Sequence, residues 1–288
     1  YNIVHVYATA PGELDVLNDY DDFIWILLVH ELTHIVHMDT VSGIPAIINW
    51  IFGRTAYPNG AQPVWFIEGL AIHYESAMSS AGRIRSSLFR MYLRTAALAG
   101  SLDGIDVVSG TTRDWPQGTL PYLVGAFFVE FLVHRYGQQA LTDISHRMGG
   151  TLIPWCLNVV ARHELDRDYL ELFRQWTHLV TRRAQRTLRQ LEEEGLTPVH
   201  QLTHRGQRQQ RPRISPGGDQ ILYFAGSADR WPSLRLVDRE GRGDRSLVEV
   251  NSGEGASFAP DGLSIVFSQS DVVDQFYFFD DLYRLDLQ

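Results

Sequence analysis

Apolar and polar positions alternate through residues 2–8, NIVHVYA, the period of a half-buried strand. The acidic stretch APGELDVLNDYDD that follows breaks the alternation and predicts a loop. Over 22–38 the apolar positions fit one helix, with Asp21 or Asp22 near its N-terminus and DTVSG closing it. IPAIINWIFGRTAYPNGAQP predicts an irregular connection with an apolar front that packs against the domain. A lid or hydrophobic subsite over a cleft is its sharper alternative. Further helices are predicted after Pro63 through VWFIEGLAIHYESAM, and over 83–100, 121–137 and 165–195. The last runs into charge and Gly195, which marks a domain end.

Beyond Gly195 short β-rich runs are separated by Gly, Pro, Asp and Ser. ISPGGDQILYF (214–224) returns as FAPDGLSIVFS (258–268), with Pro216 and Pro260 44 positions apart. A second pair, SLRLVD (233–238) and DLYRLD (281–286), follows in the same order. Several strands per period of about 40–45 residues is the pattern of propeller blades. The expected fold is therefore multidomain α+β. A mostly helical domain with an N-terminal edge strand occupies 1–195, and an all-β partial propeller of about two blades occupies 196–288.

The 288 residues are 44% hydrophobic and 20% charged, ordinary globular proportions. The formal net charge of −9 disfavours nucleic acid as a partner. The basic residues are all Arg. A single cysteine, Cys156, excludes an intrachain disulfide. No apolar run reaches the roughly 18–20 residues of a transmembrane segment. The chain opens on Tyr1 and not Met, as expected of a processed or excised piece.

Within the first helix, His30-Glu31-Leu32-Thr33-His34 reads H-E-x-x-H. Residues i and i+4 share a helix face, so both imidazoles can reach one ion, and Glu31 stands one step round. Imidazole and carboxylate donors suit zinc, and a catalytic zinc site keeps one position open for water. The metal lowers the pKa of that water and the Glu takes its proton. A core helix with satisfied histidines would look similar, so a third ligand must decide. His37 reads as packing or as support for a ligand, since one short helix rarely supplies three donors to one ion. The better candidate is Glu68, set among Trp65, Phe66, Ile67 and Leu70. A carboxylate so placed is costly unless paired or metal-bound. Glu75 is its rival.

H-E-L-T-H followed by W-F-x-E-G-L-A resembles the gluzincin metallopeptidases, specifically the bacterial peptidase-MA-like group, over about residues 1–195. The Pro-Asp-Gly units resemble TolB-like, WD-type β-propeller repeats. The resemblance implies His30, His34 and Glu68 as ligands of one zinc ion and Glu31 as general base. It implies a peptide or protein substrate, a protein partner on the propeller, and an extracytoplasmic place in a bacterium. Tyr122, with Gly125 one turn on, is similar to the transition-state tyrosine segment of aminopeptidase N relatives, with Tyr74 next in line. The Gly-x-Met-Glu-Asn strand of those aminopeptidases is absent from VHVYATAPGELD, so aminopeptidase specificity is not implied. The expected function is zinc-dependent peptide-bond hydrolysis. The alternatives are a non-catalytic binding or scaffold protein and a non-peptidase zinc hydrolase.

Overall fold

The computed structural model describes residues 4, 11, 17–102, 104–110, 117–153, 155–204, 208–227, 229–251, 255–275 and 277–287. The chain divides into two compact units, Tyr1–Gly195 and Leu196–Gln288. Among the described residues the first unit is all helical: α1 (Phe23–Asp39), α2 (Gly43–Phe52), α3 (Val64–Ala77), α4 (Ser87–Ala99), α5 (Leu120–Tyr136), α6 (Gln139–Gly149), α7 (Leu157–Leu165) and α8 (Tyr169–Glu194). The edge strand expected over 2–8 lies, apart from Val4, outside the described residues.

Local chemistry sets several of these boundaries. Asp22 Oδ1 accepts the Trp25 amide at 3.0 Å and starts α1. Ser86 Oγ accepts the Phe89 amide at 3.4 Å, and Asp168 Oδ1 the Glu171 amide at 2.9 Å. Each side chain satisfies an amide that has no carbonyl partner at a helix start. α4 and α8 accordingly begin a few residues after the starts predicted at 83 and 165.

α2 replaces the irregular connection expected after residue 43. Its proline sits in the first helical turn, where a missing N–H breaks no helical hydrogen bond. Its apolar side chains do not pack inward as expected. Trp50 is 85% exposed and Phe52 71%, and only Pro45 of this helix is buried. Among the described residues no single helix is long and apolar enough to cross a membrane; α1 and α2 meet such a test only as a pair bent by 94°.

The core of the first unit gathers Trp65 and Phe66 of α3, Phe89 of α4, Phe128 and Leu132 of α5, and Trp176 of α8. The Phe128 ring lies 4.9 Å from Trp65 and 5.3 Å from Phe173, distances typical of aromatic packing. Burying this cluster fixes α3 against α5, and α3 in turn carries Glu68 and Glu75.

The second unit corrects the expected fold. It holds two small antiparallel sheets, one of four strands in the order β1 (Arg208–Ile214), β2 (Gln220–Ser227), β3 (Arg230–Asp238) and β4 (Arg245–Glu249). The other has three, in the order β5 (Ala256–Phe258), β6 (Ser264–Val273) and β7 (Tyr277–Asp286). There is no closed barrel or propeller among the described residues, and the partial propeller expected over 196–288 is not what these sheets form. The repeated Pro-Gly-Gly-Asp and Pro-Asp-Gly signatures specify tight turns, with Gly218 at φ +74° and Gly262 at φ +71°. Such turn chemistry sets how neighbouring strands join and leaves the higher arrangement of sheets undetermined. Leu222, Phe224, Leu234 and Leu236 of the first sheet share a core with Ile265 and Phe267 of the second.

Candidate metal centre

α1 presents His30 and His34 one turn apart, and α3 brings Glu68 to them. His30 Nε2 lies 3.2 Å from His34 Nε2. Glu68 Oε2 lies 3.3 Å from the first nitrogen and 3.5 Å from the second. This is the one group of three such donors within 4.8 Å of one another among the described residues. Glu68 Oε2 is buried and has no hydrogen-bond partner among the described residues, although two ring nitrogens stand close by. Three potential ligand atoms thus converge, and the carboxylate oxygen among them makes no hydrogen bond of good geometry. A tetrahedron with zinc-ligand arms of about 2.0–2.1 Å has edges of about 3.3 Å. The three observed separations match that edge, so the donor set fits a zinc ion.

The other nitrogen of His30 has its own support. His30 Nδ1 lies 2.9 Å from Glu75 Oε2. Arg83 Nε donates to Glu75 Oε1 at 2.9 Å and Nη2 to Oε2 at 2.6 Å, with the Arg83 backbone amide adding a third bond at 3.3 Å. Nη2 also stands 2.8 Å from His30 Nδ1. The ionised Glu75 carboxylate can only accept, so the imidazole proton is assigned to Nδ1, which donates it to Glu75 Oε2; Arg83 Nη2 donates to the same Oε2 and lies beside Nδ1 without a hydrogen bond to it. The lone pair of Nε2 is then turned toward His34 and Glu68. A carboxylate on the far nitrogen of a metal-binding histidine fixes tautomer and ring orientation.

Burial pushes the Glu68 carboxyl up, but the His30 and His34 rings outweigh it and hold it at about 2. Burial acts the same way on Glu75, and the Arg83 charge with its hydrogen bonds brings that carboxyl to about 2. Both acids are anions at neutral pH, as donors to a cation and to an imidazole N–H should be.

A cavity of about 350 Å³ opens beside these groups, with His30, Glu31, Glu75, Arg83 and Tyr122 on its wall and Tyr20, Phe23, Ile26, Leu27 and Phe89 as apolar lining. The predicted base Glu31 and the predicted donor Tyr122 are thus brought to one cavity with His30. Burial and the nearby Glu68 charge push the Tyr122 phenol above its ordinary value, so its hydroxyl keeps its proton at neutral pH. A larger cavity of about 570 Å³ runs along the Trp25–Val36 side of α1. Of the three convergent donors, only His30 lines either cavity, and it lines the smaller one.

His37 faces elsewhere. Its Nδ1 lies 3.1 Å from Ser145 Oγ and its Nε2 3.4 Å from Gln62 Nε2, within a buried polar cluster that also holds Asn59. Glu75, weighed as a rival ligand, meets the opposite nitrogen of His30. Arg83 carries no signal in the sequence. Its position follows from Gly82, whose φ of +96° turns the chain back onto Ser76 of α3.

Comparison with protein-family models, with curated proteins and with solved structures finds no match for this chain.

Proposed function

We propose that the first unit is a zinc-dependent hydrolase acting on peptide bonds, with His30, His34 and Glu68 as the metal ligands. The observation that carries this is the convergence of their three donor atoms, 3.2, 3.3 and 3.5 Å apart, one of them a buried carboxylate oxygen with no hydrogen bond of good geometry. A zinc ion bound there supplies Lewis acidity, polarising a carbonyl and making water a nucleophile at neutral pH.

The chain's own groups do the rest. Glu31, beside His30 on the cavity wall, accepts the proton of the attacking water and passes it to the leaving amine. Tyr122, protonated at working pH, donates a hydrogen bond to the carbonyl oxygen as it gains negative charge. The apolar wall formed by Phe23, Ile26, Leu27 and Phe89 excludes water from one side of the cavity. A purely structural zinc site needs no base, and the presence of Glu31 at the cavity is what favours a catalytic reading over a binding one.

The test is metal analysis of the purified chain, together with hydrolysis of a quenched peptide library with and without chelator. One zinc per chain and chelator-sensitive cleavage are expected. Zinc without cleavage of any peptide would remove the peptidase reading, and failure to take up zinc would remove the metal site itself.

A further inference from the structure

Arg83 lies next to both His30 and Tyr122 without a role in the chemistry above. It is 8% exposed, and a buried guanidinium needs a partner. Its partner is Glu75, held by two parallel side-chain bonds and by the Arg83 backbone amide. A fork-on-fork pair of this kind fixes the plane of the carboxylate as well as its distance. The same Nη2 stands 2.8 Å from His30 Nδ1, and the guanidinium carbon lies 5.5 Å from the centre of the Tyr122 ring.

Glu75 alone could not direct the His30 proton so firmly. A carboxylate on a single donor can rotate about its last side-chain bond, a soft torsion. With both oxygens engaged by Arg83, Oε2 is held where it meets Nδ1. The chain Arg83–Glu75–His30 then ends on the Nε2 lone pair, aimed at the point where Glu68 and His34 converge. Arg83 reaches this place from the turn after α3, so the route is independent of the helix that carries His30.

We infer that Arg83 is a positioning residue for the metal centre: through Glu75 it locks the ring of His30 in the ligating orientation. This rests on the zinc reading above. It predicts that removing the fork weakens metal binding even where the fold survives. Loss of a supporting partner of a metal ligand typically lowers affinity about 10–100-fold.

The experiment measures zinc affinity of the full chain by chelator competition, for the parent, Arg83→Met, Arg83→Lys, Glu75→Gln and the double variant Arg83→Met/Glu75→Gln. Thermal melts of all five are recorded in parallel. Arg83→Lys keeps the charge and loses the fork, so it reads the effect if Arg83→Met does not fold. Both Arg83 variants should bind zinc about 10–100-fold more weakly than the parent. The double variant should bind no more weakly than the worse single one, because residues acting in series do not add. Parent-like zinc affinity in Arg83→Lys with a lowered melting temperature would show a purely structural pair and overturn the inference. Fully additive losses in the double variant would show that Arg83 does not act through Glu75, and would also overturn it. A parent chain that binds no zinc is a different failure, that of the metal site.

Discussion

Gly69 of α3 and Gly125 of α5 meet backbone to backbone. A Cβ on Gly69 would stand 2.4 Å from the Gly125 carbonyl oxygen, and one on Gly125 would stand 2.2 Å from the Trp65 oxygen. Neither obstacle is a flexible side chain, so the two helices could accept a methyl group only by separating. This crossing holds Glu68, one residue before Gly69, near enough to Tyr122, one turn before Gly125, for its charge to raise the Tyr122 pKa.

Gly69→Ala and Gly125→Ala should each lower stability by about 2–3 kcal/mol, the upper range for overpacking a tight contact. For a unit of this size that is roughly 4–12 °C in melting temperature. Thermal melts decide it, and a parent-like transition in either variant would mean that the crossing yields easily.

His30→Ala, His34→Ala and Glu68→Ala should each lose the bound zinc, while Glu31→Gln should keep it and lose hydrolysis. Glu75→Ala should weaken zinc binding without abolishing it, since Glu75 meets His30 Nδ1 and not the point of convergence. Metal content of each variant after dialysis is the check. Full zinc in Glu68→Ala with none in Glu75→Ala would exchange their roles.

Tyr122→Phe should retain fold and zinc and lower kcat by about 10²–10³, as loss of one donor to a developing oxyanion does. KM should change little, because the bond forms mainly in the transition state. Steady-state kinetics on a cleaved peptide separate the two constants, and parent-like kcat would exclude Tyr122 from the reaction.

Acid should destabilise the first unit in two stages. Burial, helped by repulsion from His34, lowers the His37 pKa from 6.5 to about 4. The unfolded chain therefore takes up a proton at a higher pH than the folded one. The resulting stability is complete above pH about 6.5 and is lost as pH falls toward about 4, a change of about 3 kcal/mol. Glu68 and Glu75, depressed from 4.5 to about 2, extend the loss below pH 4.5. Urea unfolding at a series of pH values should show both stages, and His37→Gln should flatten the first while sparing the second.

Trp50→Ala should change stability by less than about 0.5 kcal/mol, as for a surface substitution. The side chain is 85% exposed and no lining residue of the site cavity comes from α2. A large drop in melting temperature would contradict the exposed placement of this helix, and a change in turnover alone would favour a lid.

The sequence by itself determined what depends on neighbours within a turn or two. The cap of α1, the i, i+4 pairing of His30 with His34, and the turns at Gly218 and Gly262 belong to that class, whereas the caps that start α4 and α8 at Ser86 and Asp168 are seen only in the structure. In the sequence α2 reads as an irregular connection, because it is short and opens on Gly43 and Pro45, residues that usually mark turns. α6 and α7 are short, and short periodic segments carry little signal. What only the tertiary structure decided spans long stretches of chain. Glu68 and Glu75, two turns apart on α3, both reach His30 but on opposite ring nitrogens, one among the donors that suit a cation and one as acceptor of an N–H. No local pattern distinguishes those roles, since they depend on how α3 is rotated against α1 by its packing on α5. Arg83 joins the site only because Gly82 turns back onto α3. The turn repeats of the second unit likewise specify hairpins, whereas the four- and three-stranded sheets depend on long-range pairing and burial that a repeat signature does not encode.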